Sequence, residues 1–278
     1  MPELPEAEVV ARQLRSALID ARLIDCWVGR QDIVREGFSS LAWYNDATVQ
    51  QVNRYGKSVA LRFIKGHAVR YVVAELGMTG LLLFPSAQIR HPQHVHVRMT
   101  FSGGRESEVR YWNPRRFGRL SLLDQEGLDR YVTRRFGCDP LSVSWEQFYR
   151  LIKSRRGRLK PLLMHQQAIA GIGNIYANEI LFRARLHPNR EASRLRKAMI
   201  VRLYDTMHRV LREAISCGGS SVKDFFAPDG TEGHYKQHHL VYGKEGQTCP
   251  NRCGGIIRRL QSERSSFVCL ACQRRAGV

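Results

Sequence analysis

The sequence predicts an α+β chain built from more than one domain. Three observations carry this expectation: one amphipathic helical pattern at the start, a long series of short alternating segments after it, and a return to helical spacing that ends in a cysteine-rich tail. At 278 residues, 43% of them hydrophobic, the chain can bury a sizeable core and divide into two domains.

The opening MPELPEAEVV crowds two prolines and three carboxylates into its first eight residues. Val10, Leu14 and Leu18 then recur at helical spacing, with Arg12 and Arg15 turned elsewhere. Pro5 suits a first helical position, and Glu6 and Glu8 sit where the helix dipole favours anions. From about residue 20 to 123 the period falls to two. Val59, Leu61 and Phe63 alternate before a Lys-Gly turn, and Val95, Val97, Met99 and Phe101 alternate before Gly-Gly at 103–104. Several such strands at short intervals predict a β-sandwich or barrel. Helical spacing returns near 144, where Ser144 and Gln147 form a capping box ahead of Phe148, Leu151 and Ile152. The basic stretch KSRRGRLK (153–160) leads through PLLMHQQ into the turn AIAGIGN. One helix is expected from Ile175 to Arg183 and a long one from about Leu195 to Ile215. The expected division is therefore 1–125 for the sandwich with its helix, a linker over 126–142, a helical domain over 143–246 and a tail module over 247–278.

Lys and Arg number 44 against 25 Asp and Glu, a formal charge of +19. Such an excess attracts polyanions, because bound phosphates release condensed counterions. No apolar run approaches 18 residues, which argues against a membrane span, and the acidic start lacks the features of a secretory signal. A cytoplasmic, nucleoid-associated location follows as the expectation. Seven cysteines, three scattered and four clustered near the end, argue for a reduced compartment over a disulfide framework.

The tail reads CPNRCGGIIRRLQSERSSFVCLAC, with Cys249, Cys253, Cys269 and Cys272 spaced C-x3-C-x15-C-x2-C. Two cysteine pairs joined by a strand–turn–strand length offer four thiolates to one structural zinc ion, Zn2+. So short a module cannot bury a core of its own, so the metal supplies folding energy, about 10–16 kcal/mol apparent. Arg258, Arg259 and Arg264 lie between the pairs, opposed by Glu263.

Two further motifs are weak singly. NPRRFG (113–118) sets two cations beside an aromatic, and GIGNIY (171–176) opens a helix whose free N–H groups suit a phosphate. Their joint order is more informative. PELPE, RYGKS, LGMTG, NPRRFG, GIGNIYANEILFRARLHP, VYGKEG and the four-cysteine tail follow one another along essentially the whole chain. That arrangement resembles the formamidopyrimidine-DNA glycosylase and endonuclease VIII family, and the PELPE start is closer to the formamidopyrimidine branch.

The resemblance implies an N-terminal helix with a β-sandwich, a helix–two-turn–helix domain and a terminal zinc-finger β-hairpin. It also implies a bifunctional DNA glycosylase and abasic-site lyase acting on oxidised purines in duplex DNA, as a monomer. Pro2, with Met1 removed, is then the amine nucleophile, Glu3 the general acid–base and Glu6 a second carboxylate that positions the lesion nucleotide. The chemistry agrees, since an α-amino group titrates near about 7.7–8.0 and attack by a secondary amine at C1′ gives an iminium electron sink. By the same resemblance Lys57 grips phosphate near the lesion, while Met78, Arg115 and Phe117 fill the space left by an extruded base. Lys160, Asn174, Tyr242 and Arg264 form a phosphate clamp, and the loop 218–235 closes over the extruded base.

Three departures bear on substrate choice: Glu75 replaces a usual histidine, Asn113 a usual aspartate, and the first cysteine spacing is one residue long. Alternatives are an endonuclease VIII-like preference for oxidised pyrimidines, and a damage-binding protein without chemistry, the outcome if Met1 is kept and the Pro2 nitrogen is an amide. A metal bound by His94 and His96 is a weaker third.

Overall fold

The computed structural model describes residues 2–89, 91–221, 225–261 and 264–274. They form two compact units, Met1–Arg134 with Ile215–Lys236, and Arg135–Ala214 with Gln237–Val278.

In the first unit, helix α1 (Leu4–Leu18) begins where Glu3 turns extended, at φ −112° and ψ −166°, and takes a proline in its first turn. Its stripe of Ala7, Val10, Ala11, Leu14 and Leu18 is fully buried against the strands. These are β1 (Arg22–Val28), β2 (Val34–Glu36), β3 (Thr48–Tyr55), β4 (Ser58–Lys65), β5 (Ala68–Glu75), β6 (Leu81–Leu83), β7 (Val95–Ser102), β8 (Glu108–Trp112) and β9 (Leu120–Leu123).

Hydrogen bonding is continuous through all nine, in the order β2-β9-β5-β4-β3-β1-β7-β8-β6. The two leaves of the sandwich are joined through β1, which meets β3 at Arg22–Thr48 and β7 along most of its length, with a register shift between Leu23 and Asp25. Leu23, Val97 and Met99 from one leaf and Val72, Leu120 and Leu122 from the other line one narrow internal space, so the inner faces meet. Neighbouring strands are antiparallel except β2 and β9.

Two segments differ from the expected division. The stretch expected as a linker carries helix α2 (Gln125–Arg135). The Asp124 carboxylate accepts the Gly127 N–H at 2.8 Å, Leu128 and Tyr131 are buried, and the Tyr131 hydroxyl lies 2.9 Å from that of Ser58. With so few apolar anchors, its period escapes notice in the sequence. Residues 215–236, expected within the helical domain, belong to the first unit. Phe225 joins the sheet core, Phe84 donates its N–H to the Pro228 carbonyl at 2.7 Å, and the Gln13 and Asp229 side chains meet at 2.9 Å.

The second unit contains α3 (Trp145–Ser154), α4 (Leu159–Met164), α5 (Asn174–Arg183), most of α6 (Lys197–Ser216), and a hairpin of β10 (Ile257–Leu260) and β11 (Ser266–Cys269). Ser144 and Gln147 make the reciprocal capping box that starts α3. Helix α5 is buried from Ile175 to Phe182, and Phe182 packs with Val241, Ile257 and Cys269 under the hairpin. No helix among the described residues is long and apolar enough to cross a membrane.

Candidate active site and nucleic-acid interface

The acidic tip is a closed hydrogen-bonded knot. Glu3 is the N-cap of α1, and its side chain and that of Glu6 form a reciprocal capping box, with the Glu3 N–H donated to Glu6 Oε2 at 2.8 Å. The other Glu6 oxygen accepts the Ser220 N–H at 2.7 Å. Pro2, Glu3 and Glu6 are all buried. Glu6 thus holds the chain start on one side and residue 220, within the expected closing loop, on the other. Residues 222–224 of that loop, and Met1, lie outside the described residues.

Two residues further along α1, Glu8 accepts from Arg54 at 2.9 Å, and Arg54 also donates to the Gly56 carbonyl at 3.1 Å. This pair, with the Arg54 side chain 6% exposed, fixes the β3–β4 turn that carries half-buried Lys57. Glu8 at the helix start and Arg54 in RYGKS were both visible in the sequence, but their pairing was not, because it joins residues 46 positions apart.

Met78 and Phe117 are 39% and 57% exposed, large apolar side chains left out of the core. The Arg115 guanidinium sits 4.8 Å from the centre of the Phe117 ring. Glu75 points elsewhere, pairing with Arg35 at 3.1 Å. His96 is buried and its Nε2 lies 3.1 Å from the Asn113 carbonyl oxygen. Burial is the main reason its pKa falls, opposed by that carbonyl. This placement counts against the His94–His96 metal idea, and among the described residues the one group of three or more metal-type ligands is the cysteine cluster.

In the second unit, Lys160 is 3% exposed, and its ammonium donates to the carbonyls of Arg264 (3.2 Å) and Ser265 (2.7 Å) and to Ser266 Oγ (2.9 Å). An ammonium has three protons, and here each has an acceptor on the hairpin turn, so Lys160 holds the turn that presents exposed Arg264. Asn174 opens α5 half-buried after Gly173, at the helix end that favours anions. Its carbonyl accepts from Asn178 at 2.6 Å, while Asn178 Oδ1 accepts the Phe267 N–H at 2.8 Å. Tyr242 packs edge-on to Phe267.

Glu179, fully buried, accepts the successive N–H groups of Leu240 (2.9 Å), Val241 (3.0 Å) and Tyr242 (2.9 Å). Its signal in the sequence is a lone carboxylate inside the apolar run ANEILF.

The Sγ atoms of Cys249, Cys253, Cys269 and Cys272 all lie within 4.8 Å of one another, three of the pairs at 3.4–3.7 Å. Four sulfurs about 2.3 Å from one tetrahedral ion stand about 3.8 Å apart, so the donor set fits a metal. The long first spacing closes because Arg252 adopts a left-handed conformation at φ 52° and donates its N–H to the Cys249 carbonyl at 3.0 Å. The Gly255 N–H is the largest cause bringing the Cys253 thiol down to about 7. Burial instead pushes Cys26 up to about 12 and Cys138 to about 11, which leaves both as poor nucleophiles.

The model of the formamidopyrimidine-DNA glycosylase N-terminal domain matches residues 1–120, and that of the formamidopyrimidine-DNA glycosylase H2TH domain matches 136–226. Curated formamidopyrimidine-DNA glycosylases of Solibacter usitatus and Roseiflexus sp. are 37% and 36% identical, over 99% of this chain and 100% of each relative. The chain belongs to the formamidopyrimidine-DNA glycosylase family. Among solved family structures, MutM (Fpg) of Thermus thermophilus is 34% identical with a TM-score of 0.84, covering 98% of both chains. Lactococcus lactis Fpg in complex with DNA containing an abasic site is 28% identical with a TM-score of 0.85, covering 98% of this chain and 100% of that one.

For a formamidopyrimidine-DNA glycosylase, the first unit gathers Pro2, Glu3 and Glu6 at one helix start and Met78, Arg115 and Phe117 on two adjoining turns. The second unit brings the Lys160 ammonium from α4 to the hairpin turn that carries Arg264, and sets Tyr242 on the Glu179 cradle.

Proposed function

We propose that the chain is a bifunctional DNA glycosylase and abasic-site lyase that removes oxidised purines, 8-oxoguanine and formamidopyrimidines, from duplex DNA. The observation that carries the reading is the buried, interlocked pair Glu3 and Glu6 directly behind Pro2. The names of the family relatives and the net charge of +19 support the lesion class and the polyanionic partner.

With Met1 removed, the neutral amine of Pro2 attacks C1′ and the base departs with the glycosidic electron pair, while the amine proton passes to solvent. Glu3 gives its proton to the ring oxygen O4′, the sugar opens, and an iminium forms between C1′ and the proline nitrogen. The Glu3 carboxylate then takes a C2′ proton. The electrons expel the 3′-phosphate, a second elimination expels the 5′-phosphate, and water hydrolyses the iminium to free Pro2. Glu6 keeps the tip and the loop near Ser220 in register during these steps.

Met78, Arg115 and Phe117 occupy the space left by the extruded nucleotide. Lys57, Asn174, Tyr242 and Arg264 contact phosphates, with Lys160 acting through the hairpin turn. Zinc is the metal that four thiolates select, and with no open position it is structural. The protein works as a monomer in the cytoplasm, at the nucleoid.

The test is to incubate the protein with an 8-oxoguanine:C duplex and sodium borohydride, then to mass the intact protein and its peptides. A reduced adduct on the peptide starting at Pro2 is expected. No adduct on 8-oxoguanine, formamidopyrimidine or abasic duplexes overturns the reading, and faster cutting of thymine glycol moves it to oxidised pyrimidines.

A further inference from the structure

We infer that Asn113 is a positioning residue that locks the turn bearing Met78 to the turn bearing Arg115 and Phe117, so that the three side chains enter DNA as one rigid wedge. The inference rests on reading those three as the groups that replace an extruded base.

Asn113 is completely buried and uses both ends of its amide. Nδ2 donates to the Gly118 carbonyl and to the Tyr111 hydroxyl, each at 3.1 Å, closing residues 113–118 into a loop. Oδ1 accepts the Arg116 N–H at 3.0 Å from inside that loop, and the Thr79 hydroxyl at 3.3 Å from the neighbouring one. Thr79 adjoins Met78, and its Oγ1 in turn lies 3.4 Å from the Arg115 N–H. The backbone of Asn113 is itself tied down, its N–H to the His94 carbonyl at 2.9 Å and its carbonyl to His96. The two turns also touch without side chains between them. A Cβ on Gly77 (φ 59°) would come within 2.5 Å of the Gly118 nitrogen, and one on Gly118 within 2.1 Å of the Glu75 carbonyl oxygen.

No other residue type of this size offers two donors and a two-lone-pair acceptor at one point. An aspartate here would set an oxygen against the Gly118 carbonyl, and an alanine would remove the side-chain ties across the loop, leaving the Arg116 N–H only the carbonyl of residue 113 and the Gly118 carbonyl only Arg119.

The experiment compares cleavage of 8-oxoguanine paired with C and with A, alongside lyase cleavage of a single-stranded oligonucleotide with one abasic site, which has no opposite base to sense. Wild type, Asn113→Ala, Thr79→Val and Thr79→Ser are measured as kcat/KM. Asn113→Ala and Thr79→Val are expected to lower the C-over-A preference about tenfold, equivalent to about 1.4 kcal/mol, with single-strand cleavage within about twofold of wild type. Thr79→Ser, which keeps the hydroxyl, retains the preference. A proportional loss on every substrate means that Asn113 and Thr79 serve folding alone, and overturns the inference. So does an unchanged preference in Thr79→Val, which remains informative should Asn113→Ala fail to fold. Failure of wild type itself to cleave either duplex rejects the enzymatic reading instead.

Discussion

Replacing Glu179 by Gln tests how the second unit presents Tyr242. The carboxylate is fully buried and receives three consecutive backbone N–H groups, two on Oε1 and one on Oε2. Hydrogen bonds to a charged acceptor contribute about 1.5–3 kcal/mol each, against about 1 kcal/mol for neutral ones. A glutamine keeps the two bonds on its single oxygen at neutral strength and turns its NH2 toward the Leu240 N–H. That donor is then partly buried and unmatched, a further cost of about 1–3 kcal/mol. The sum is a destabilisation of about 2–7 kcal/mol, concentrated at residues 240–242. Urea denaturation measures the total, and hydrogen exchange of the Leu240, Val241 and Tyr242 amides locates it. The variant should also bind duplex DNA more weakly, through a displaced Tyr242. A change below about 0.5 kcal/mol with unchanged protection at those amides would refute the account of the cradle, since that is the scatter of neutral surface substitutions.

Lys160→Met removes an ammonium that holds three acceptors of the hairpin turn, so Lys160→Met and Arg264→Ala should weaken DNA binding less than additively in a double-mutant cycle, and strict additivity would assign Lys160 a contact of its own. Stripping the metal with a chelator, or Cys269→Ser, should expose the β10–β11 amides to exchange and raise the Kd for duplex DNA at least tenfold while the α3 amides stay protected, because the hairpin has little core besides Phe182, Val241 and Ile257. His208 lies partly buried with neither ring nitrogen partnered among the described residues, and its pKa is lowered from 6.5 first by burial and then by Arg212. The unfolded chain therefore binds more protons just below pH 6.5, so this contribution to stability is present above that pH and lost as the pH falls through the lowered value. His208→Phe should flatten the acid-side decline, as urea midpoints at pH 7.5 and 5 would reveal.

Local signals were legible in the sequence and long-range pairings were not. The Ser144–Gln147 box, the proline-started first helix and the inward row Val95, Val97, Met99, Phe101 depend on residues within a few positions of one another. The same strand shows the limit, because His96, on the alternate register, is also buried and faces the Asn113 carbonyl. Lys160 and its acceptors are separated by 104–106 positions, and Glu6 and Ser220 by 214. No periodicity encodes such distances, and the motifs that named these residues said nothing of which partner each one holds. Helix α2 escaped for a different reason, since its mostly charged surface hides the anchors Leu128 and Tyr131.

The first unit is discontinuous, and this sets an order on its biosynthesis. A ribosome delivers α1 and all nine strands of the sheet by residue 123, yet Phe225, Pro228 and the Ser220 amide arrive only after the intervening 135–214. Until then the Glu6 carboxylate lacks the Ser220 amide and the sheet core lacks Phe225. The nascent sheet must wait, tethered and incomplete, while a different unit is being synthesised. Nonsense mutations anywhere between 135 and 214 therefore damage two units at once, and a fragment ending near residue 134 should emerge as a client for chaperones instead of a finished domain.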